Sequence, residues 1–230
     1  MSPQYQRDKY LNKDTAFFIF RARRDDSETE PENIYISPEV AQMYSIMRKK
    51  FGTLSGYSDY IHGELTIGAM QHVINFLKEH CEFNKSSRFI DIGSGLGKPT
   101  IHVTLDPGVR LSVGIEVQKD RYEMSIQNGC AILATLKDSA AESLNFAFVN
   151  EDVNNAYTLD PFTHVYSFDV GMPPETLKAI AWQFNNSYSA KYLACYHPPS
   201  LVIHQYGFKV LYIGQSGGRR MEGKKLLIFC

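Results

Sequence analysis

The sequence predicts a doubly wound α/β fold, in which a mostly parallel sheet carries helices on both faces. Helical and strand patterns alternate from about residue 65 onward, and such alternation is typical of sheets built from β-α-β units. A glycine-rich turn at residues 93–97 joins a short apolar strand to a helix. The last two predicted strands are joined by a glycine-containing loop without a helix, which suits an antiparallel edge.

Residues 1–60 are predicted to form an N-terminal, mostly helical extension, and residues 61–230 the main domain. The clearest helix of the extension starts after Ser37, which can cap it, and ends near Arg48. An apolar stripe at helical spacing follows the cap and contains Val40, Met43, Tyr44 and Met47. Such a stripe indicates a helix packed on a larger domain.

The elements of the main domain follow from local periodicity. Helices are predicted at residues 65–80, 99–105, 120–136, 174–184 and 200–206. Strands are predicted at residues 88–92, 111–116, 145–149, 164–168, 192–196, 208–213 and 226–229. The first helix carries one apolar face, and Pro99 is tolerated because it lies in the first turn of the second helix. The strands are short apolar runs bounded by polar or glycine-containing turns.

Size and charge exclude some classes of function. The chain has 230 residues, of which 43% are hydrophobic, enough for one domain of about 150–200 residues plus an extension. Its formal net charge is −1, whereas a protein held to nucleic acid by overall charge would be basic. No apolar run approaches the roughly 20 residues that span a bilayer, and the polar start at residues 1–10 predicts no secretory signal.

The cysteines predict a reducing compartment and no zinc site. None of the four forms a C-x-x-C pair or has a histidine at metal-ligand spacing. Free thiols are typical of the cytosol or nucleus. The four are Cys81, Cys130, Cys195 and Cys230.

The segment from Phe89 to Lys98 carries the strongest chemical signal. It runs from strand to helix with the pattern D-x-G-x-G-x-G, which starts at Asp91. A dinucleotide fingerprint would be G-x-G-x-x-G, and the Asp91 carboxylate would repel a pyrophosphate but attract an ammonium group. The pattern therefore predicts S-adenosylmethionine (SAM), whose methionine end carries an ammonium and whose sulfur is cationic.

Two further acids follow the next two strands. Glu116 ends the second strand and is placed to accept the ribose hydroxyls, and Asp152 follows the third strand, where it could meet the adenine amine. Ligands bind at the carboxyl ends of strands in open α/β sheets. The alternative for Glu116 alone is a solvated loop acid.

The loop after the fourth strand is predicted to face the methyl group and its acceptor. It reads Phe168-Asp169-Val170-Gly171, unlike the D/N-P-P-Y/F motif of amino-methylating nucleic-acid enzymes. Phe168 and Asp169 are the predicted catalytic residues. The alternative for Asp169 is a capping acid ahead of Pro173-Pro174.

Three segments together resemble the disruptor-of-telomeric-silencing family, the histone lysine methyltransferases that lack a SET domain. They are Ile61-His62-Gly63-Glu64-Leu65-Thr66, the segment from Phe89 to Lys98, and Gly114-Ile115-Glu116. The resemblance covers roughly residues 57–215, and the tail with Tyr196-His197-Pro198-Pro199 is similar to a short protozoan branch. It implies a seven-stranded, Rossmann-like class I SAM-dependent methyltransferase fold and a nuclear enzyme that methylates a core histone in nucleosomes.

The resemblance also implies a role for each matched residue. Gly63 and Glu64 would help to cover the cofactor, Glu116 would hold its ribose, and Asp152 with Val153 its adenine. Asp169 would replace an asparagine that the family carries near the methyl group. The residues that would cradle the methionine part are Asp91, Gly93, Ser94, Gly95 and Gly97.

The sequence departs from the family at three points. His62 stands in place of a tyrosine, Asp169 is a carboxylate in place of an amide, and the long basic nucleosome-binding tail is absent. Basic clusters that could contact DNA phosphate remain at residues 21–24, 48–50 and 219–225. Two other functions stay open: a SAM-dependent methyltransferase of RNA or a small molecule, and a non-catalytic chromatin-binding module.

Methyl transfer to lysine requires a neutral amine in line with the sulfonium. A dry aromatic channel would lower the pKa of the lysine by desolvation, so no dedicated base is expected. The aromatic residues that could line such a channel are Tyr166, Phe168, Tyr196 and Phe229, although for each of them a plain core position is the favoured interpretation.

Overall fold

The computed structural model describes residues 34–51, 66–136, 144–215 and 227–229. Its helices are α1 (Pro38–Phe51), α2 (Ile67–His80), α3 (Lys98–Leu105), α4 (Lys119–Thr135) and α5 (Pro174–Asn185). Its strands are β1 (Arg88–Ile92), β2 (Leu111–Glu116), β3 (Phe146–Asn150), β4 (His164–Ser167), β5 (Tyr192–Cys195), β6 (Tyr212–Gln215) and β7 (Leu227–Phe229). None of these helices is long and apolar enough to cross a membrane.

The seven strands form one sheet in the order β3-β2-β1-β4-β5-β7-β6. Strands β1 to β5 are parallel, whereas β7 runs antiparallel to both β5 and β6. This topology confirms the predicted α/β sheet with an antiparallel edge. The strand order reverses between β1 and β4, and ligands of open α/β sheets bind in the crevice at such a point.

Alternate residues of β1 pack on opposite faces of the sheet. Ile90 and Ile92 lie in a cluster with α5, while Phe89 packs against α2 on the other face. Strand side chains alternate between faces, so the strand is buried on both sides, as the apolar run Phe89-Ile90 and Ile92 predicts. The sheet is therefore the centre of the core.

Helix α1 packs on the domain as its apolar stripe predicts. The Ser37 hydroxyl accepts a hydrogen bond from the Val40 amide at 3.3 Å and caps the helix. Met43 and Met47 are buried against Leu96 and Ile101. The predicted domain boundary near residue 60 lies outside the described residues and stays a prediction.

Near the end of the chain, one predicted strand is wrong in detail and one predicted short helix is confirmed, as a π-helical turn. The strand predicted at residues 208–213 is found at Tyr212–Gln215, because the amide of Phe208 donates to the Val202 carbonyl and that of Lys209 to the Asn185 side chain. The side chains of Phe208 and Val210 are buried, which gives a strand-like alternation, although none of the described strands pairs with this segment. The helix predicted at residues 200–206 is a single π-helical segment, Leu201–Gln205.

A buried polar chain joins α1 to α2 and α3. His102 Nε2 lies 3.1 Å from Gln71 Oε1, and its Nδ1 lies 3.3 Å from the Tyr44 hydroxyl. Because an amide oxygen can only accept, Nε2 carries the proton and Nδ1 accepts from Tyr44. Burial lowers the pKa of His102 from 6.5 to about 4, so the imidazole is neutral in the folded protein at neutral pH.

We expect His102 to destabilise the protein in acid. The unfolded chain binds a proton near pH 6.5 and the folded chain only near pH 4, so the free energy of unfolding falls as pH drops through this window. The full loss is on the order of 3 kcal/mol. Urea unfolding between pH 7 and pH 4.5 should show a slope for His102→Gln that is smaller by about 1.4 kcal/mol per pH unit.

His164 is also buried, and its pKa is lowered to about 4. Because wild type and His102→Gln both contain His164, its contribution to the slope cancels from the comparison. His204→Gln changes an exposed histidine and is the control, for which we expect the wild-type slope. Equal slopes in wild type and His102→Gln would contradict the prediction.

Candidate active site

The glycine loop wraps around the carboxyl end of β2. The amides of Gly93 and Ser94 both donate to the Ile115 carbonyl, at 2.9 and 3.1 Å. All three glycines of the motif have positive φ, of 77° at Gly93, 53° at Gly95 and 82° at Gly97, a region that L side chains rarely adopt. The pattern of alternating glycines is therefore required by the backbone path.

The three glycines differ in the space around them. A Cβ at Gly97 would overlap the Phe148 ring, and one at Gly93 would lie 2.8 Å from Met172 Cε. A Cβ at Gly95 would have no described atom within 4 Å. The loop is thus packed at its ends and open at its centre, where a ligand could approach the backbone.

Asp91 lies beneath this loop and is 1% exposed. Its Oδ2 accepts a hydrogen bond of 2.9 Å from the Thr100 hydroxyl. Burial and, to a smaller extent, the charge of Glu116 together raise the pKa of the Asp91 carboxyl from 3.8 to about 7, against the opposing effect of the hydrogen bonds from Thr100. Titratable groups with strongly shifted pKa values cluster at functional sites. Asp91 therefore switches between neutral and charged forms close to neutral pH, and a cationic ligand would favour the charged form.

Glu116 joins the loop to the end of β2. Its Oε2 accepts from the Gly95 amide at 2.8 Å, and its Oε1 accepts from the Gln118 amide at 2.9 Å. The carboxylate is 4% exposed, so Glu116 is a structural part of the site and not a solvated loop acid. Each oxygen retains a second lone pair with which it could accept a ribose hydroxyl.

Asp152 follows β3 at the same edge of the sheet. Its Oδ1 accepts from the Asn154 amide at 2.9 Å and caps the 3-10 turn Val153–Asn155. Val153 is buried, and its carbonyl accepts a hydrogen bond of 2.7 Å from Gln183 Nε2. The turn is therefore held in place from both sides, and the predicted adenine contact stays a prediction.

Ser94 supplies an unusual group within the loop. Its hydroxyl oxygen is buried and has no hydrogen-bond partner in the part of the chain that the structure describes. Buried polar atoms are nearly always paired. An orphaned hydroxyl, open space at Gly95 and two acids form the donor and acceptor set that fits the ammonium, carboxylate and ribose of SAM.

Asp169 follows β4 and is nearly completely buried. Its Oδ1 accepts a hydrogen bond of 2.8 Å from the Tyr196 amide, and its Oδ2 lies 3.5 Å from Nδ1 of His197. These two contacts lie on the segment after β5 and not on α5, so they favour a role in the site over the alternative that Asp169 caps this helix. The Asp169 side chain thus joins the loop after β4 to the loop after β5.

The aromatic residues predicted for a channel divide into two groups. Phe168 and Tyr196 are partly exposed and meet edge to face, with ring centroids 4.7 Å apart. Tyr166 and Phe229 are fully buried in the core, which confirms for these two the expectation of plain core aromatics and excludes them from a channel. The buried Tyr166 forms a hydrogen bond with the hydroxyl of Tyr196 and so helps to hold that ring in position.

The sequence predictions missed Thr100 and His197. Thr100 lies in the first turn of α3, where its hydroxyl reaches back to Asp91, and the motif pattern gives no signal for this contact. His197 had a signal, because it comes two residues after β5, at the edge where acids end β2 and follow β3 and β4.

Several predicted residues lie outside the described part of the chain. They are His62, Gly63, Glu64 and the basic clusters at residues 21–24 and 219–225. Of the third cluster, Arg48 and Lys49 are exposed at the end of α1. The described ranges contain no group of three side chains that could hold a metal ion.

Solved structures share this fold at low sequence identity. Magnesium protoporphyrin IX methyltransferase from Synechocystis PCC 6803, with bound SAH, gives a TM-score of 0.52 at 16% identity and covers 82% of this chain and 94% of its own. A variant of MtNAS in complex with S-adenosylmethionine gives 0.52 at 12% identity and covers 83% and 71%. The sheet is therefore that of the Rossmann-like class I SAM-dependent methyltransferases, as predicted.

Two curated relatives carry the name histone-lysine N-methyltransferase, H3 lysine-79 specific. That of Candida glabrata is 28% identical over 109 residues, which is 45% of this chain and 16% of the relative. That of Kluyveromyces lactis is 30% identical over 77 residues, which is 34% of this chain and 13% of the relative. The match thus spans about a sixth of each relative's length or less.

A family model extends the match across the site. The model described as histone methylation protein DOT1 matches residues 44–158, half of the chain. This segment contains α2, the whole glycine loop with Asp91, and the acids Glu116 and Asp152. The motifs that resemble the disruptor-of-telomeric-silencing family thus lie within the matched segment, and the chain belongs to the DOT1 family of histone methylation proteins.

Proposed function

We propose that this chain is a SAM-dependent histone lysine N-methyltransferase that acts on a core histone in nucleosomes. The observation that carries the proposal is the arrangement at the carboxyl edge of the sheet. A glycine loop open at Gly95 lies between two buried acids, Asp91 and Glu116, next to the loop that holds Asp169. Membership of the DOT1 family supports a protein lysine as the methyl acceptor.

Each part of SAM has a proposed partner in this arrangement. Asp91 attracts the ammonium of the methionine part, and the loop amides and the Ser94 hydroxyl contact its carboxylate. Glu116 accepts the ribose hydroxyls, and Asp152 with Val153 holds the adenine. Gly63 and Glu64 would cover the bound cofactor. When bound, SAM supplies the electrophilic methyl group.

The acceptor lysine is proposed to enter beside Phe168 and Asp169. The carboxylate attracts the ammonium form, and the aromatic rings of Phe168 and Tyr196 remove water from the amine, which lowers the pKa of the lysine. Alignment of the amine with the methyl carbon can then lower the barrier by roughly 7 to 11 kcal/mol. The chain's main catalytic contribution would be to hold the two reactants in line.

The proposed partner is the nucleosome, and the proposed location is nuclear chromatin. The relatives with histone H3 specificity in their names support a histone substrate. We propose that Arg48 and Lys49, which are exposed at the end of α1, contact DNA phosphate, in which case binding would depend on salt. We propose that residues 1–60 form an extension to a catalytic domain of residues 61–230.

A direct test compares possible acceptors. The protein would be incubated with radiolabelled SAM and either intact nucleosomes, free core histones or RNA. We expect label in a histone band of the nucleosome sample, and Gly95→Arg is the inactive control. Label in RNA alone would support an RNA methyltransferase, and no transfer despite SAM binding would support a non-catalytic chromatin-binding module. Either result would overturn the proposal.

SAM affinity is expected to depend on pH through Asp91. Its carboxyl has a raised pKa of about 7, so it is neutral below that pH and no longer attracts the ammonium of SAM. Calorimetry should show the wild-type affinity falling by up to about tenfold per pH unit between pH 7 and pH 5.5.

Asp91→Asn is the matched control, because its amide keeps the shape of the side chain but cannot titrate. Its SAM affinity should be weaker at pH 7.5 and flat over the same range, and the titration of SAM itself cancels in the comparison. An equally steep fall in the variant would show that Asp91 is not the titrating group.

A further inference from the structure

The geometry points to His197 as the proton acceptor for the substrate amine, with Asp169 as the residue that orients it. This inference rests on the proposed methyltransferase function and deepens it. It replaces the expectation that the reaction has no dedicated base. It also gives a role to a residue that the sequence motifs left unassigned.

The two residues are brought together by adjacent parallel strands. β4 pairs with β5, so the segments that follow them, Phe168-Asp169 and Tyr196-His197, lie at the same edge of the sheet. The Tyr196 amide donates to Asp169 Oδ1 at 2.8 Å and so fixes the carboxylate. The other carboxylate oxygen of Asp169, Oδ2, lies 3.5 Å from Nδ1 of His197. The carboxylate is therefore held by the backbone of the residue next to the histidine.

This contact selects one tautomer of the imidazole. A carboxylate beside Nδ1 favours a proton on that nitrogen, which leaves the lone pair on Nε2. The ring is tilted against Tyr206, with centroids 5.3 Å apart and 43° between the planes. The His197 side chain is 19% exposed and that of Asp169 only 3%. The buried acid thus contacts a histidine whose side chain is partly exposed.

Among the residues that the structure describes, Asp169 is the charged partner of His197. Burial and the charge of Asp169 raise the pKa of the Cys195 thiol. A hydrogen bond from the backbone of His197 opposes this rise. The same two causes raise the pKa of Tyr206. Tyr196 also has a pKa raised by burial, with a smaller contribution from Asp169. The thiol and both phenols are therefore neutral at neutral pH.

The proposed step transfers one proton before the methyl group moves. The lysine ammonium is attracted by Asp169 and gives a proton to Nε2 of His197. The lone pair released on nitrogen attacks the methyl carbon of the sulfonium donor, the N–C bond forms, and the C–S bond breaks with its electron pair going to sulfur. The positive charge ends on the methylated amine, and the imidazolium returns its proton to water. Every further methyl needs one more deprotonation.

The main test is the pH dependence of His197→Gln. On nucleosomes with saturating SAM at pH 7, we expect the single-turnover rate to fall by roughly 100-fold, with unchanged SAM affinity by calorimetry. The deficit should shrink as pH rises toward 9.5, because a lysine amine loses its own proton near pH ~10.4. His204→Gln is the control and should match wild type. An equal rate at pH 7, or a deficit that is constant with pH, would overturn the assignment.

A second measurement does not depend on activity. In the 15N spectrum of the imidazole rings, His197 should show a proton on Nδ1 in wild type and lose this preference in Asp169→Asn. If His197→Gln melts at a lower temperature than wild type, His197→Asn replaces it in the rate measurement. A wild-type protein that methylates no histone would overturn the proposed function, whereas an active wild type with an equally active His197→Gln would overturn only the role of His197.

Discussion

Gly95→Arg is expected to abolish SAM binding while the domain remains folded. A Cβ at residue 95 has no described atom within 4 Å, so the new side chain can start without a clash and is expected to fill the centre of the glycine loop. The positive φ of 53° costs roughly 1–2 kcal/mol for a residue other than glycine, which a domain of this size can tolerate. We expect SAM affinity to fall by at least about 100-fold, equivalent to about 2.7 kcal/mol, in isothermal titration calorimetry.

Gly108→Arg is the matched control for this result. Gly108 also has a positive φ, of 80°, but it precedes β2 and lies at the opposite edge of the sheet. It should lower the melting temperature by a similar amount and leave SAM affinity intact. Retained SAM binding by Gly95→Arg would show that the ligand does not lie over the glycine loop.

Asp169→Ala is expected to lose methyl transfer and to keep cofactor binding. The substitution removes the carboxylate that contacts His197 and that is proposed to attract the lysine ammonium. Loss of one such electrostatic contact typically lowers turnover by about 100-fold or more. Methylation of nucleosomes should therefore fall by at least that factor, while SAM still raises the melting temperature, since ligand at 100 times its dissociation constant adds about 2.7 kcal/mol.

Two variants separate charge from structure at this position. Asp169→Asn retains an oxygen that can accept a hydrogen bond from the Tyr196 amide but loses the charge. It should therefore fold normally and methylate nucleosomes as slowly as Asp169→Ala. Glu175→Gln removes an exposed carboxylate in the first turn of α5 and should match wild type. Unchanged turnover of Asp169→Ala on nucleosomes would remove Asp169 from the site.

The sequence predicted the part of the fold that depends on local patterns. Strands such as Arg88–Ile92 are buried on both faces and appear as apolar runs, and the glycines at 93, 95 and 97 are required by a backbone that L side chains rarely adopt. The family resemblance also depends on this glycine loop. The backbone path requires glycines there, and close approach of the proposed cofactor would require them too.

The errors arose where side chains decide what the backbone does. Phe208 and Val210 alternate in burial like a strand, but the nearby backbone donates to Val202 and to the Asn185 side chain, and nothing local in the sequence indicates these partners. The contact of His197 with Asp169 likewise depends on the pairing of β4 with β5. Long-range pairing of this kind becomes visible only in three dimensions.

The two hydrogen bonds of Glu116 have a consequence for how this position can vary. One carboxylate receives amides from both sides, Gly95 and Gln118, and so needs two acceptor atoms. Glutamine has one acceptor oxygen and would set an NH2 group against an amide donor. Selection for a stable chain therefore preserves this acid even in a descendant that no longer turns over substrate, and its retention in a homologue is no proof of catalysis.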